Sequence, residues 1–168
     1  MAATRSAPRE EAARNTVAVK ELARRQGVVL AGIADLRSTG PASPEPLPDV
    51  FGLAAHFPYA IVLGAPFRAL GRAASGTEVS LFLEKVALEV LGALEARGQR
   101  GLIVHTEDEI DPVRRLGLLS LKALAKSAGL GWQGRSLLIV SPDFGPVHRW
   151  IAVLTNLPLE PDAPIRNR

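Results

Sequence analysis

Five short apolar runs, separated by three longer amphipathic stretches, constrain the fold of this 168-residue chain more than any other feature. The runs are bounded by glycine, proline or small polar residues, which is typical of buried strands. They occupy residues 28–34, 59–64, 101–105, 136–140 and 147–156. The amphipathic stretches repeat apolar residues at helical spacing, so we expect helices up to about residue 26 and over residues 78–97 and 113–127.

The order of these elements, α-β-β-α-β-α-β-β, predicts an α+β fold in which helices flank a mixed β-sheet. The length fits a single domain over residues 1–168, with an ordered core at about residues 7–159. Three prolines in the last twelve residues indicate that residues 160–168 form a departing tail. The fourth and fifth apolar runs are placed to pair as a hairpin.

Composition excludes several kinds of site. The chain has no cysteine, which excludes disulfides, zinc–thiolate sites, cysteine nucleophiles and iron–sulfur clusters held by this chain. The three histidines, His56, His105 and His148, are not at a metal-ligand spacing, so we expect no metal site. No apolar run approaches the ~20 residues of a membrane helix. The net charge is only +3 and no secretory core precedes the first helix, so we expect a cytoplasmic protein.

One glycine-rich segment is unusual. It reads Gly129-Leu130-Gly131-Trp132-Gln133-Gly134 and satisfies the G-x-G-x-x-G pattern of dinucleotide-binding folds. It follows a predicted helix and opens a predicted strand, so the helix dipole has the wrong sign for phosphate. Two interpretations stay open: a helix end and tight turn covered by Trp132, or a cradle in which backbone amides, the Trp132 ring and Arg135 hold a planar or anionic ligand.

Two charged clusters flank the predicted third helix. Acidic residues precede or begin it, where carboxylates stabilise a helix N-terminus or one of them acts as a general acid; these are Glu107, Asp108, Glu109 and Asp111. Basic residues follow along it, as a solvated face or a phosphate-contacting one; these are Arg114, Arg115, Lys122 and Lys126.

The segment from Ala128 to Leu138, with three neighbouring stretches, resembles the signature of the epoxyqueuosine reductases. That signature is an A-G-L-G-W-x-G-K/R segment before a strand, then a P-x-x-G turn and a strand ending in L-T-D-x-P-L. Residues 142–145 correspond to the P-x-x-G turn, and residues 154–159 correspond to the end of the closing strand. Residues 119–125 resemble the lead-in helix, and residues 20–34 resemble the opening helix and strand. The resemblance spans about residues 17–162 and is specific from 119 to 159.

The resemblance implies a base-off cobalamin on a flavin-nitroreductase-like α+β domain. In that family a ferredoxin-like module with two [4Fe–4S] clusters feeds electrons to cobalt, and the enzyme removes the epoxide oxygen of epoxyqueuosine in a tRNA anticodon, a step of queuosine modification. The cofactor-binding residues implied here are Gly129, Gly131, Trp132, Gln133, Gly134, Arg135 and Ser136. The nearest candidate for the proton-donating aspartate is Asp111, followed by Pro112.

Three departures from the family pattern leave two functions open. The chain has no cysteine, Asp111 lies about one helical turn too far from the glycines, and Asn156 replaces the aspartate of the closing motif. One function is a corrinoid-binding reductase domain that takes electrons from a separate ferredoxin or flavoprotein. The alternative is a non-catalytic carrier of a corrinoid or of FMN, or a degenerate scaffold that binds a partner. Because the resembled family acts on tRNA, the basic side of the predicted third helix, with Lys122 and Lys126, is a candidate tRNA contact. The oligomeric state stays open, with a homodimer as one option.

Overall fold

The computed structural model describes residues 6–38, 52–68, 70, 74–105, 109–111, 116–117 and 119–165. Its helices are α1 (Ser6–Arg25), α2 (Leu53–His56), α3 (Gly76–Glu95) and α4 (Leu121–Ser127). Its longer strands are β1 (Leu30–Asp35), β2 (Tyr59–Pro66), β3 (Gly101–Val104) and β8 (His148–Thr155). Its short strands are β4 (Glu109–Asp111), β5 (Leu116–Gly117), β6 (Trp132–Gln133) and β7 (Ile139–Val140). The predicted α+β class is confirmed.

A four-stranded sheet in the order β1-β2-β8-β3 forms the centre of the fold. Every pairing within it is antiparallel, which corrects the expectation of a mixed sheet. Strand β8 lies between β2 and β3, which run in the same direction and are not paired with each other. The local sequence pattern cannot show that the last strand of the chain inserts between two earlier ones.

The two faces of this sheet are covered by different helices. On one face, α1 and α3 bury Val19, Ala23, Leu83 and Val90 against Ile61 and Val153. On the other face, α4 and the short α2 pack on Ala60, Val62, Ala152 and Leu154. Alternate residues of each strand thus enter two separate apolar layers, which explains why the strands read as continuous apolar runs.

Helix α4 is shorter than the sequence predicts. The expected helix over residues 113–127 begins only at Leu121, because Ser120 caps it by accepting a hydrogen bond from the Ala123 N–H at 3.3 Å. Leu116 and Gly117 instead form β5, which pairs with β4. Helical spacing of the leucines extends across this boundary, so periodicity alone placed the start too early.

The C-terminal strap, residues 157–165, packs on the domain, which corrects the prediction that a tail departs after residue 159. Leu157 and Leu159 are buried in the layer under α1 and α3. The Asp162 backbone N–H donates to the Ile33 carbonyl at 2.9 Å, and its carboxylate accepts from the Ile33 N–H at 2.7 Å. Lys20 Nζ lies 2.6 Å from the same carboxylate. Prolines exclude regular structure here but do not prevent packing, and the strap hydrogen-bonds to the outer edge of β1 at Ile33.

Candidate functional site

The glycine-rich segment begins as the end of α4. Gly129 has a φ of 67°, a left-handed conformation that favours glycine. Its N–H donates to the Lys126 carbonyl at 3.1 Å, and the Leu130 N–H donates to the Ala125 carbonyl at 3.0 Å. This is the Schellman pattern of helix ends. A Cβ atom on Gly129 would also collide with the Ala163 carbonyl of the strap. Both the left-handed backbone conformation and the close contact with the strap therefore require glycine at this position.

The next part of the segment is a two-stranded hairpin. Strand β6 pairs with β7, with Trp132 opposite Val140 and Gln133 opposite Ile139. Gly131 lies so close to this pair that a Cβ atom would be 2.8 Å from Ile139 Cγ2. The fourth predicted strand thus pairs with the segment before it, which corrects its predicted pairing with the fifth. That fifth strand, β8, pairs with β2 and β3 instead.

Residues 134–138 form the tip of the hairpin. The Gly134 N–H donates to the Leu138 carbonyl at 2.9 Å, and the Leu137 N–H donates to the Gly134 carbonyl at 3.0 Å. Leu137 is a non-glycine residue with a positive φ, 60°, which is uncommon. These two amides are occupied within the turn, so they do not serve the ligand cradle that the sequence suggested.

The side chains at this tip remain available to a ligand. Gln133, Arg135 and Ser136 are exposed, and Trp132 is partly buried. Among the described residues, Arg135 makes no hydrogen bond or ion pair. Leu137 is 63% exposed and Leu138 is 40% exposed, although both are large and apolar. The predicted site residues therefore divide into glycines fixed by packing, the partly buried Trp132, and the exposed side chains of Gln133, Arg135 and Ser136.

A second turn, residues 141–147, follows β7 directly and contains the P-x-x-G motif. It is closed by paired hydrogen bonds between Ser141 and Gly145, at 2.9 and 3.1 Å. The Ser141 hydroxyl also accepts from the Phe144 N–H at 3.1 Å. Phe144 is 41% exposed and Val147 is 51% exposed. This turn thus presents two more apolar side chains close in sequence to the hairpin tip.

A cluster that the sequence analysis missed supports this second turn. His148 Nε2 lies 3.1 Å from Ser141 Oγ, and the His148 ring centre lies 5.2 Å from that of Trp150. The Trp150 ring packs over Gly64, where any Cβ atom would collide with it. Burial lowers the pKa of His148, and its Nδ1 atom is buried without a hydrogen-bond partner. The glycine inside the apolar run of β2 was the available signal, because such glycines mark close approach.

The closing motif of the signature has a structural role. Thr155 Oγ1 donates to the Arg100 carbonyl at 2.9 Å and accepts from the Leu157 N–H at 3.0 Å. Asn156 Oδ1 accepts from the Arg100 N–H at 2.7 Å. These bonds join the start of β3 to the strap. An aspartate at position 156 would offer the same acceptor, so asparagine preserves this contact.

The structure describes only part of the acidic cluster that the sequence analysis singled out. Asp111 ends β4, where its backbone pairs with Leu116, whereas the sequence predicted a loop and then a helix here. The side chain of Asp111 and all of residues 106–108 lie outside the described part of the structure.

Among the residues that are described, no group of three or more histidine or acidic side chains could hold a metal ion. No helix in that part of the chain is long and apolar enough to cross a membrane.

Comparison of sequences finds relatives over a limited part of the chain. No family model matches it. An epoxyqueuosine reductase from Listeria monocytogenes is 41% identical over 51 residues, which are 29% of this chain and 13% of that protein. The Bacillus subtilis epoxyqueuosine reductase is 37% identical over 64 residues, which are 38% of this chain and 16% of that protein.

Comparison of structures covers nearly the whole chain. A reductive dehalogenase, whose structure suggests a mechanism for B12-dependent dehalogenation, matches 94% of this chain and 21% of its own at a TM-score of 0.68 and 17% identity. An epoxyqueuosine reductase with a modified tRNA-Tyr stem loop matches 92% of this chain and 48% of its own at a TM-score of 0.65 and 18% identity. The chain therefore spans about half the length of that enzyme. It resembles the epoxyqueuosine reductases in sequence over part of its length, and it shares its fold with them and with the reductive dehalogenase.

Proposed function

We propose that this chain binds a corrinoid at the hairpin tip and takes part in a redox reaction with electrons from a separate protein. One observation carries the proposal. Of the nine large apolar residues that are exposed in the described part of the chain, four fall within residues 137–147. These are Leu137, Leu138, Phe144 and Val147. A concentration of exposed apolar side chains beside unused polar ones is characteristic of a binding site.

The chemistry of these residues fits a corrinoid. The corrin ring has apolar faces and a periphery of amide side chains, and cobalamin also carries a phosphate. Trp132 and Leu137 offer apolar surface, Gln133 and Ser136 offer groups that bond amides, and Arg135 offers a charge for phosphate. When bound, the group supplies a cobalt centre that changes oxidation state. The chain's own contribution is to bind and orient the ring.

The electron supply is the part of the proposal that needs a partner. Iron–sulfur clusters are held by cysteine thiolates, and these 168 residues contain none. A ferredoxin or a flavoprotein is therefore the proposed donor. Asp111 remains the proposed proton donor, on the strength of the resemblance alone.

An anaerobic absorbance titration with cob(II)alamin tests the binding. We expect saturation and a base-off spectrum with the wild-type chain. Leu137→Glu and Arg135→Glu should each weaken binding by about tenfold or more, which is ~1.4 kcal/mol. Val17→Glu is the matched control, because Val17 is an exposed apolar residue on α1, which packs on the opposite face of the sheet from α4. Equal affinity of all four proteins would contradict the proposed site.

FMN is the second candidate ligand. It also combines a flat ring with a phosphate, so Trp132 and Arg135 fit it by the same argument. A parallel titration with FMN separates the two. Saturable FMN binding without corrinoid binding would make this chain a flavin carrier or reductase. Binding of neither at tens of micromolar would favour a scaffold that serves a protein partner.

Contact with tRNA rests on α4. Lys122 is exposed and Lys126 is partly buried, and they are four positions apart, so they lie on one side of the helix. We propose that this side contacts the tRNA backbone, since an epoxyqueuosine reductase of the same fold is known with a tRNA stem loop. Binding should weaken with rising salt and should fall further in Lys122→Glu. Salt-independent binding, or none, would remove tRNA from the proposal.

A further inference from the structure

The second turn, residues 141–147, is closed through one buried residue. Ser141 is 1% exposed, and its backbone exchanges paired hydrogen bonds with Gly145 at 2.9 and 3.1 Å. Its hydroxyl accepts from the Phe144 N–H and lies 3.1 Å from His148 Nε2. Within the described part of the chain, the hydrogen bonds that close this turn therefore all involve Ser141, and one contact leads from it out of the turn to His148.

His148 connects this turn to the central sheet. It is the first residue of β8, and its ring centre lies 5.2 Å from that of Trp150 on the same strand. The Trp150 ring in turn packs over Gly64 of β2. The imidazole is therefore placed by two strands of the sheet, and its contact with Ser141 fixes the start of the turn relative to them.

The donors and acceptors at this contact indicate a neutral imidazole. The Ser141 hydroxyl already accepts from the Phe144 N–H, so its own proton is available to His148 Nε2. Nε2 is then the acceptor, and the single ring proton lies on Nδ1, which is buried without a partner. A second proton would have to bind Nε2. It would take away the acceptor of a hydroxyl group that water hardly reaches.

Among the described residues, no charged group compensates a second proton on this ring. The charged residues of the turn, of the strands and hairpin beside it and of α4 are Asp143, Arg68, Arg149, Arg135, Lys122 and Lys126. None of them forms an ion pair with His148, and burial lowers the pKa of its ring. In an open turn the ring regains water and its ordinary pKa of about 6.5. A fall in pH below that value therefore favours the open turn.

We propose that His148 positions the second turn for the ligand and that protonation of His148 releases the turn in mild acid. This regulation rests on the proposed function, because Phe144 and Val147 belong to the apolar surface assigned there to the corrinoid. A closed turn presents both side chains in one arrangement, and an open turn does not. The affinity for the ligand therefore falls with the fraction of chains in which the turn is closed. His148 acts through Ser141 and is a positioning residue.

Amide hydrogen exchange without ligand tests the positioning contact by itself. In the wild type, protection of the Phe144 N–H should fall by about threefold or more from pH 7.5 to pH 5.0, after correction for the exchange of unstructured amides. The Leu137 N–H, which donates within the hairpin tip, should keep its protection and so show that the fold persists. His148→Gln retains an acceptor for the Ser141 hydroxyl and takes up no proton, so its Phe144 protection should stay constant. The same trend at Phe144 in both proteins would overturn the proposal.

Titration with cob(II)alamin at the same two pH values tests the link to binding. The wild type should bind about threefold or more weakly at pH 5.0 than at pH 7.5, and His148→Gln should bind equally at both. His56→Gln is the matched control, because His56 is an exposed histidine on α2, and it should keep the wild-type pH dependence. Binding that is independent of pH, or an acid loss that His148→Gln shares, would overturn the regulation.

The two experiments separate this regulation from the proposed function. Corrinoid binding without the pH-dependent exchange at Phe144 would overturn the regulation alone. Absence of corrinoid binding at either pH would overturn the proposed function, and the regulation of that binding with it, even where the exchange result is as expected.

Discussion

The two ends of the glycine-rich segment differ in what holds them. At its start, Gly129 and Gly131 lie against other parts of the chain: the strap in one case and strand β7 in the other. At its far end, Arg135 and Leu137 project from the hairpin tip into solvent. A signature that appears uniform in the sequence thus combines glycines packed against the fold with side chains exposed to solvent. Only the second group can carry the proposed binding.

Gly129→Val should have the largest effect on stability, and it tests whether packing fixes the start of the segment. Valine would be forced into a left-handed backbone conformation and against the Ala163 carbonyl. We expect a loss of roughly 3 kcal/mol in the free energy of unfolding. Chemical denaturation measures it. Full stability in this variant would show that the strap does not fix the start of the segment.

Asp162→Ala should rank second, because it leaves two partners without their hydrogen bonds. The Ile33 N–H and Lys20 Nζ both depend on this carboxylate, and both contacts are at least partly buried. We expect a loss of about 2 kcal/mol in unfolding free energy. Arg9→Ala is the control, since Arg9 reaches Glu160 only at 4.0 Å on the exposed surface, and it should change stability little. Equal effects of the two substitutions would contradict the strap as described.

His148→Gln should alter the response to pH. Burial lowers the pKa of His148, so the unfolded chain takes up a proton near pH 6.5 while the folded chain does not. Stability contributed by the neutral ring is therefore present above about pH 6.5 and is lost as the pH falls below that value. Melting curves from pH 7.5 to 5.5 should show a smaller acid loss in the variant. An identical pH dependence of the two proteins would show that His148 does not contribute to the loss of stability in acid.

Arg135→Ala should have the smallest effect on stability, within about 0.5 kcal/mol, because this exposed side chain makes no hydrogen bond or ion pair with the part of the chain that the structure describes. This variant tests the exposed tip of the hairpin, whereas Gly129→Val tests the packed start of the segment. We expect corrinoid affinity to fall while the melting temperature stays constant. A clear drop in melting temperature would show that the tip is part of the folded structure after all.

Local signals in the sequence were sufficient for much of this fold. The helical spacing of Val79, Leu83 and Val90 predicted α3, and the apolar runs predicted the four strands of the sheet. The close approach at Gly131 and the positive φ at Gly129 were also readable from the glycines themselves. These features depend on residues near one another in the chain.

The features that the sequence analysis missed depend on distant residues. Asp162 meets Ile33 across more than a hundred positions, and Trp150 covers Gly64 from a neighbouring strand. No local sequence pattern specifies which distant residue the strap or an aromatic ring will contact. The same limit explains the insertion of β8 between β2 and β3.

Anaerobic titration of the wild-type chain with cob(II)alamin, followed by absorbance, tests the central claim most directly. The account predicts saturable binding with a base-off spectrum that is weakened by Leu137→Glu, while this variant melts like the wild type. The account would be contradicted by an unchanged cobalamin spectrum up to tens of micromolar protein, or by binding that Leu137→Glu leaves intact.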